Sequence, residues 1–218
     1  MTQVSGPTAA LAGIPAGLQA QGVWAGRRQL FVRFAAEAET ATMYTADALA
    51  HEIKRATSRS RFHSVSISGR DPLANVEYLC AAFESQPTTL PLMLDCDGQR
   101  PDEIGRIGRM LTLVQVTLEG AGLDSTPDRG IRALGVAAEC GLQHALVLAP
   151  NDHTSDVQLL RIVEQANGAS AATEIVIHPP AGAPIDRDRR WISLMERGAA
   201  LHPEIRLVVR LPAPTGTR

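Results

Sequence analysis

Five carboxylates stand just past short apolar runs: Glu37, Asp71, Asp97, Glu119 and Asp152, with His153 and His178 in comparable places. If those runs are strands of one parallel sheet, the acids ring a single rim. Glu37, Asp71, Asp97 and Glu119 then offer the hard oxygens that a divalent cation takes. Such an ion would polarise a bound anion or water, with His153 or His178 as general base. The plainer reading is a solvated edge, because surface loops are often acidic and no metal-binding motif of tight spacing supports the other. His178 precedes Pro179 and Pro180, which also suits a capped strand end. Arg70, between Gly69 and Asp71, carries the planar fork that binds a carboxylate or phosphate. Its other reading is a surface pair with Asp71 or Asp97, worth little.

Sulfur is scarce. Cys80, Cys96 and Cys140 lie 16 and 44 positions apart, a spacing that matches no metal or redox motif. Cys80 and Cys140 read as small core residues on helices, while Cys96 lies just past a strand.

The elements that must position these residues alternate regularly. Gln29–Phe34 reads as a strand and Thr45–Thr57 as a helix capped by Thr45. His63–Ser68, Leu90–Asp95, Leu113–Leu118, His144–Leu148, Glu174–Ile177 and Ile205–Val209 read as further strands. Between them lie helices at 74–84, 101–110, 127–140, from a Thr154 cap onward, and 186–201. Six βα units and a last strand, with no hairpin signal, predict an α/β fold with a mostly parallel sheet. A partial (βα)6 TIM-like barrel fits best, and a flat doubly wound sheet comes second. In either one, ligands meet the carboxyl ends of the strands. Residues 1–17, rich in Ala, Gly and Pro without periodicity, read as a flexible extension before a single domain over 18–218.

Twenty-one Lys+Arg against 23 Asp+Glu give a net charge of −2, so no basic field points to nucleic acid. The cluster Arg187-Asp188-Arg189-Arg190 is interrupted by acid and reads as a solvated first helical turn. No apolar run approaches a membrane span and no secretory leader is evident, so the expected location is cytoplasmic. P-loop, G-x-G-x-x-G and G-x-S-x-G signatures are absent.

Several short segments carry a family resemblance in the right order. Gln19-Ala20-Gln21-Gly22 and the run Ala25–Phe34 (AGRRQLFVRF), Ser66–Pro72 (SISGRDP), Leu94–Gly98 (LDCDG) and the closing 205–218 resemble 7-carboxy-7-deazaguanine synthases. Those are small radical S-adenosylmethionine (SAM) enzymes with a truncated βα barrel. The resemblance spans roughly residues 18 to 218. It implies a loop of GCN-x-x-C-x-x-C type after the first long strand, an SGGEP segment holding the amino group of SAM, and a homodimer.

The carried-over positions depart from that pattern. Aligning Phe34-Ala35-Ala36 on the family's F-x-G puts Glu37, Ala41 and Tyr44 where the three cluster cysteines belong. A [4Fe–4S] cluster needs thiolates, and none of these supplies one. Arg70 replaces the second glycine of SGGEP, Asp71 shortens its acid, and Glu119 stands where relatives commonly carry lysine. An arginine beside the expected ammonium group counts against SAM. The resulting expectation is a degenerate relative without a [4Fe–4S] cluster, a pseudoenzyme that binds a ligand or pairs with itself or an active relative. Ligand-binding candidates are Gly69, Arg70, Asp71, Asp97, Glu119, His153 and His178. Trp24 and Trp191 are the residues to check for a partner face, although Trp191 also reads as core. The alternatives are a repurposed enzyme built on the acidic rim and a sensor of SAM or a purine-like ligand.

Overall fold

The computed structural model describes residues 6–120, 122–125, 127–185 and 187–210. Ten strands form one sheet: β1 (Thr8–Gly13), β2 (Ala16–Leu18), β3 (Arg28–Phe34), β4 (Thr42–Thr45), β5 (Ser64–Gly69), β6 (Leu92–Cys96), β7 (Leu113–Glu119), β8 (Gln143–Ala149), β9 (Glu174–Ile177) and β10 (Ile205–Leu207). The helices are α1 (Ala46–Arg59), α2 (Val76–Ser85), α3 (Ile104–Ile107), α4 (Gly122–Ser125), α5 (Pro127–Glu139), α6 (Asp156–Ala169) and α7 (Arg189–Leu201). The sheet order is β10-β9-β8-β7-β6-β5-β3-β1-β4, with β2 also on β3. From β3 to β10 every neighbouring pair is parallel, as the alternating pattern predicts.

The antiparallel edge was not predicted. β1 and β2 pair antiparallel with β3, and β4 pairs antiparallel with β1. Residues 8–13 and 16–18 are therefore strands, whereas the sequence reading placed residues 1–17 in a flexible extension. Ala9 and Leu11 alternate inward from β1 and are buried at 2% and 0% exposure. Ala and Gly have weak strand propensity, so a short Ala-rich strand leaves little periodic signal.

Alternation fixes the two faces of the sheet. Val65 and Ile67 of β5, Leu92 and Leu94 of β6, and Val114, Val116 and Leu118 of β7 face the helices and form the main core. On the opposite face Met93, Leu113 and Ala145 pack beneath Val23 and Trp24 of the turn 19–27. Trp24 is thus half-buried and Trp191 is core, so neither forms an exposed partner face. That inner face is also polar: Gln29, Ser64, Ser66, Gln115 and His178 are all buried there.

Two helix starts differ from expectation: the cap of α6 is one residue later, and α7 begins at Arg189, not at 186. Ser155, not Thr154, caps α6 by accepting from the Gln158 amide at 3.2 Å. Thr154 is instead engaged with Asn151. Asp188 caps α7 through the Arg190 amide at 2.9 Å. No helix among the described residues is long and apolar enough to cross a membrane.

Candidate functional site

The carboxyl ends of β5, β6 and β7 enclose a pocket of about 440 Å³. One wall is the turn after β5. Gly69 has φ +98, and a Cβ there would sit 2.2 Å from the Phe34 carbonyl oxygen, so only glycine fits. The Arg70 amide donates to that same oxygen at 3.1 Å. Asp71 follows in the left-handed region at φ 39, a backbone state disfavoured for a non-glycine residue. Its carboxylate accepts from Arg100 Nε at 2.8 and 3.1 Å. The expected partner of Asp71 or Asp97 was Arg70. Arg100 takes Asp71 instead, and among the described residues Arg70 has no ion-pair partner. Asp97 turns back on its own loop, accepting from the Gln99 amide and side chain at 3.1 and 2.5 Å. An exposed guanidinium therefore faces the pocket mouth with its donors uncommitted.

Asp95 forms the floor. It accepts from Thr117 Oγ1 at 2.7 Å. Burial pushes its carboxyl above the usual range, against the opposing pull of the hydrogen bond from Thr117. Gln115 pairs in register with Asp95 on the next strand and shares its face. Both polar atoms of that amide, and the hydroxyl of Ser66, are buried without a hydrogen-bond partner among the described residues. Unpaired buried polar groups are costly, and they concentrate where a ligand or water completes them. Sequence reasoning passed over Asp95 because it ends the apolar run LPLMLD; its signal is the two-residue alternation that puts it on the face of Met93.

The pocket gathers Gly69, Arg70, Asp71, Asp97 and Glu119 from the predicted set. The other candidates lie elsewhere. Glu37 is exposed in the turn after β3, and His153 is exposed beyond β8. His178 is buried, with Nε2 accepting from the Gly22 amide at 2.9 Å and Nδ1 donating to the Val208 carbonyl at 2.7 Å. With both nitrogens occupied by backbone, it is no general base. The acidic ring does not converge: among the described residues no three His, Cys, Asp or Glu side chains are placed to hold a metal ion. Arg100 and Arg210 engage two of the four acids, Asp71 and Glu119.

The positions aligned with the cluster cysteines lie in different local structures. Glu37 is in a turn, Ala41 is exposed, and Tyr44 is inside β4, paired in register with Ala9. An extended segment sends successive side chains to opposite faces, and none of the three carries sulfur. The cysteines that do exist are free and dispersed: Cys80 on α2, Cys96 at the end of β6 and Cys140 after α5. Burial pushes the Cys96 thiol up to about 12, which makes it inert. The residues present do not fit an iron–sulfur cluster.

No protein-family profile matches the chain. It is 25% identical over 181 residues to the 7-carboxy-7-deazaguanine synthase of Methanothermobacter thermautotrophicus, covering 76% of this chain and 68% of that protein. This is a weak similarity to a radical SAM enzyme, in a chain whose α/β sheet is mostly parallel.

Proposed function

We propose that the protein is a non-catalytic ligand-binding relative of 7-carboxy-7-deazaguanine synthase, a partial (βα)6 barrel of radical SAM type that works without a [4Fe–4S] cluster. The observation that supports this reading is that none of the three positions aligned with the cluster cysteines carries sulfur: Glu37 is in a turn, Ala41 precedes β4 and Tyr44 is within it. Without thiolates there is no cluster to deliver the electron that cleaves SAM. What remains is a pocket of about 440 Å³ with a strained rim, an Arg70 without a partner among the described residues, and Asp95 in its lining. Those are features of a binding site more than of a solvated edge. Arg70 selects a small ligand with a carboxylate or phosphate. A partner, a second copy or an active relative, belongs to the same reading; β4 is an outer strand of the sheet and Met43 on it is 64% exposed.

A panel of carboxylates, phosphate monoesters and SAM, scored by thermal shift and calorimetry, tests this. At least one anionic compound is expected to stabilise the protein, with no turnover by mass spectrometry. Arg70→Ala is expected to weaken that compound by about 10- to 100-fold, the worth of a charged hydrogen bond of about 1.5–3 kcal/mol. Consumption of the compound, or binding indifferent to Arg70, contradicts the proposal.

A further inference from the structure

We infer that the C-terminal segment at 208–210 is a pH-dependent latch on one wall of the rim pocket, an inference that rests on that pocket being the binding site. Two polar relays fasten the segment. In the first, the Gly22 amide donates to His178 Nε2 at 2.9 Å and His178 Nδ1 donates to the Val208 carbonyl at 2.7 Å. In the second, Arg210 Nη2 donates to Glu119 Oε2 at 3.1 Å and to Gln21 Oε1. Gln21 and Glu119 both line the pocket. The turn 19–27, the end of β7 and the C-terminal segment are thus tied to one another twice, across sequence separations of up to 189 positions.

The first relay depends on one tautomer. Val208 offers only an acceptor and Gly22 only a donor, so the imidazole carries its proton on Nδ1 and presents a lone pair at Nε2. A second proton can go only to Nε2, where it meets the Gly22 N–H. Donor then faces donor, and the bond that pins the turn is lost. Gly22 cannot readily shift to compensate: it has φ +76, and a Cβ there would lie 1.8 Å from Gln115 Oε1, so its backbone already presses on the sheet face. Gln21 is the adjacent residue, so releasing Gly22 also loosens the second relay. Val208 N donates to the Ile177 carbonyl at 3.0 Å and stays on β9, which makes that position the pivot.

The charges around His178 favour the neutral ring. It is 1% exposed, burial lowers its pKa, the Val208 carbonyl opposes that, and Arg210 lowers it further. Glu119 at the end of β7 is engaged by Arg210. In the turn packed over the ring, the charged residue Arg27 acts on His63. On β8, His144 is bound by Leu142 and Ser170 at the far end of the strand. On β10, Arg206 pairs with Glu174 of β9. The folded-state pKa is depressed, so the neutral state is fully favoured above the unfolded value of about 6.5 and the latch weakens as pH falls below it.

Hydrogen–deuterium exchange of the full chain at about pH 7.5 and about pH 5, corrected for intrinsic rates, tests the latch. Amides in 19–27 are expected to exchange at least about tenfold faster at the lower pH, while the Val208 amide, held on β9, stays protected. In His178→Gln, whose amide keeps a donor and an acceptor but does not titrate, that acceleration is expected to vanish. Nitrogen NMR of the wild-type imidazole should find the neutral ring protonated at Nδ1. Unchanged exchange in 19–27, or an Nε2–H tautomer at neutral pH, overturns the inference. The readout needs no ligand, so a failed latch leaves the binding proposal standing, and a failed ligand screen leaves the latch measured.

Discussion

Asp95 and His178 are both enclosed near the rim, and burial moves their pKa values in opposite directions. A carboxyl raised by burial costs stability above its folded pKa and returns it as pH falls through that value. A histidine depressed by burial does the reverse, losing stability as pH falls below about 6.5. Asp95→Asn keeps the acceptor for Thr117 and removes the buried charge. It is expected to raise the denaturant midpoint at neutral pH, by about 1 kcal/mol or more, with the gain shrinking on acidification. A midpoint lowered at neutral pH would mean that Asp95 holds the fold through its hydrogen bonds and is not a residue kept at the expense of stability. Arg70 belongs to the same scale. Its type and its place after a strand marked it in the sequence, yet the sequence could not say that Arg100 would take Asp71 and leave Arg70 uncommitted. Pairing between loops 29 positions apart is set by tertiary geometry, for which no local pattern exists.

Among the elements, the parallel strands β3 and β5–β10 were legible because each buries a continuous or alternating apolar run between helices of clear 3.6 period. The edge was not. β1 reads TAALAG, with one strongly apolar side chain, and it becomes a strand because Leu11 closes the core beside Phe34. β4 reads TMYT, where the resemblance placed a loop, and it forms by pairing with β1. β4 has no partner until β1 is known, and β1, with its weak apolar pattern, gives no local signal of its pairing with β3. Leu11→Ala measures how far this edge belongs to the fold. Leu11 is fully buried, so the loss is expected at about 2–5 kcal/mol, read as a shift in the urea midpoint. A change within about 0.5 kcal/mol would return residues 8–13 to the status of an extension. His178 shows the same limit of local reading: before two prolines it suggested a strand end or a base, while its partners Gly22 and Val208 lie 156 and 30 positions away.

At the level of the whole molecule, a nearly neutral chain forms a mostly parallel α/β scaffold with a pocket at the carboxyl ends of β5, β6 and β7. Among the described residues Arg70 in that pocket has no ion-pair partner, and Asp95 is raised by burial. No cysteine is present between Glu37 and Tyr44. The central claim is that this scaffold works without iron. The most direct test is anaerobic reconstitution of the full chain with iron and sulfide, followed by iron and sulfide analysis and electron paramagnetic resonance of the reduced protein. No bound cluster and no cluster signal are expected. About four iron and four sulfide per chain, with the signal of a reduced [4Fe–4S] centre, would contradict that claim, because some set of ligands would then have to come together that Glu37, Ala41 and Tyr44 cannot provide.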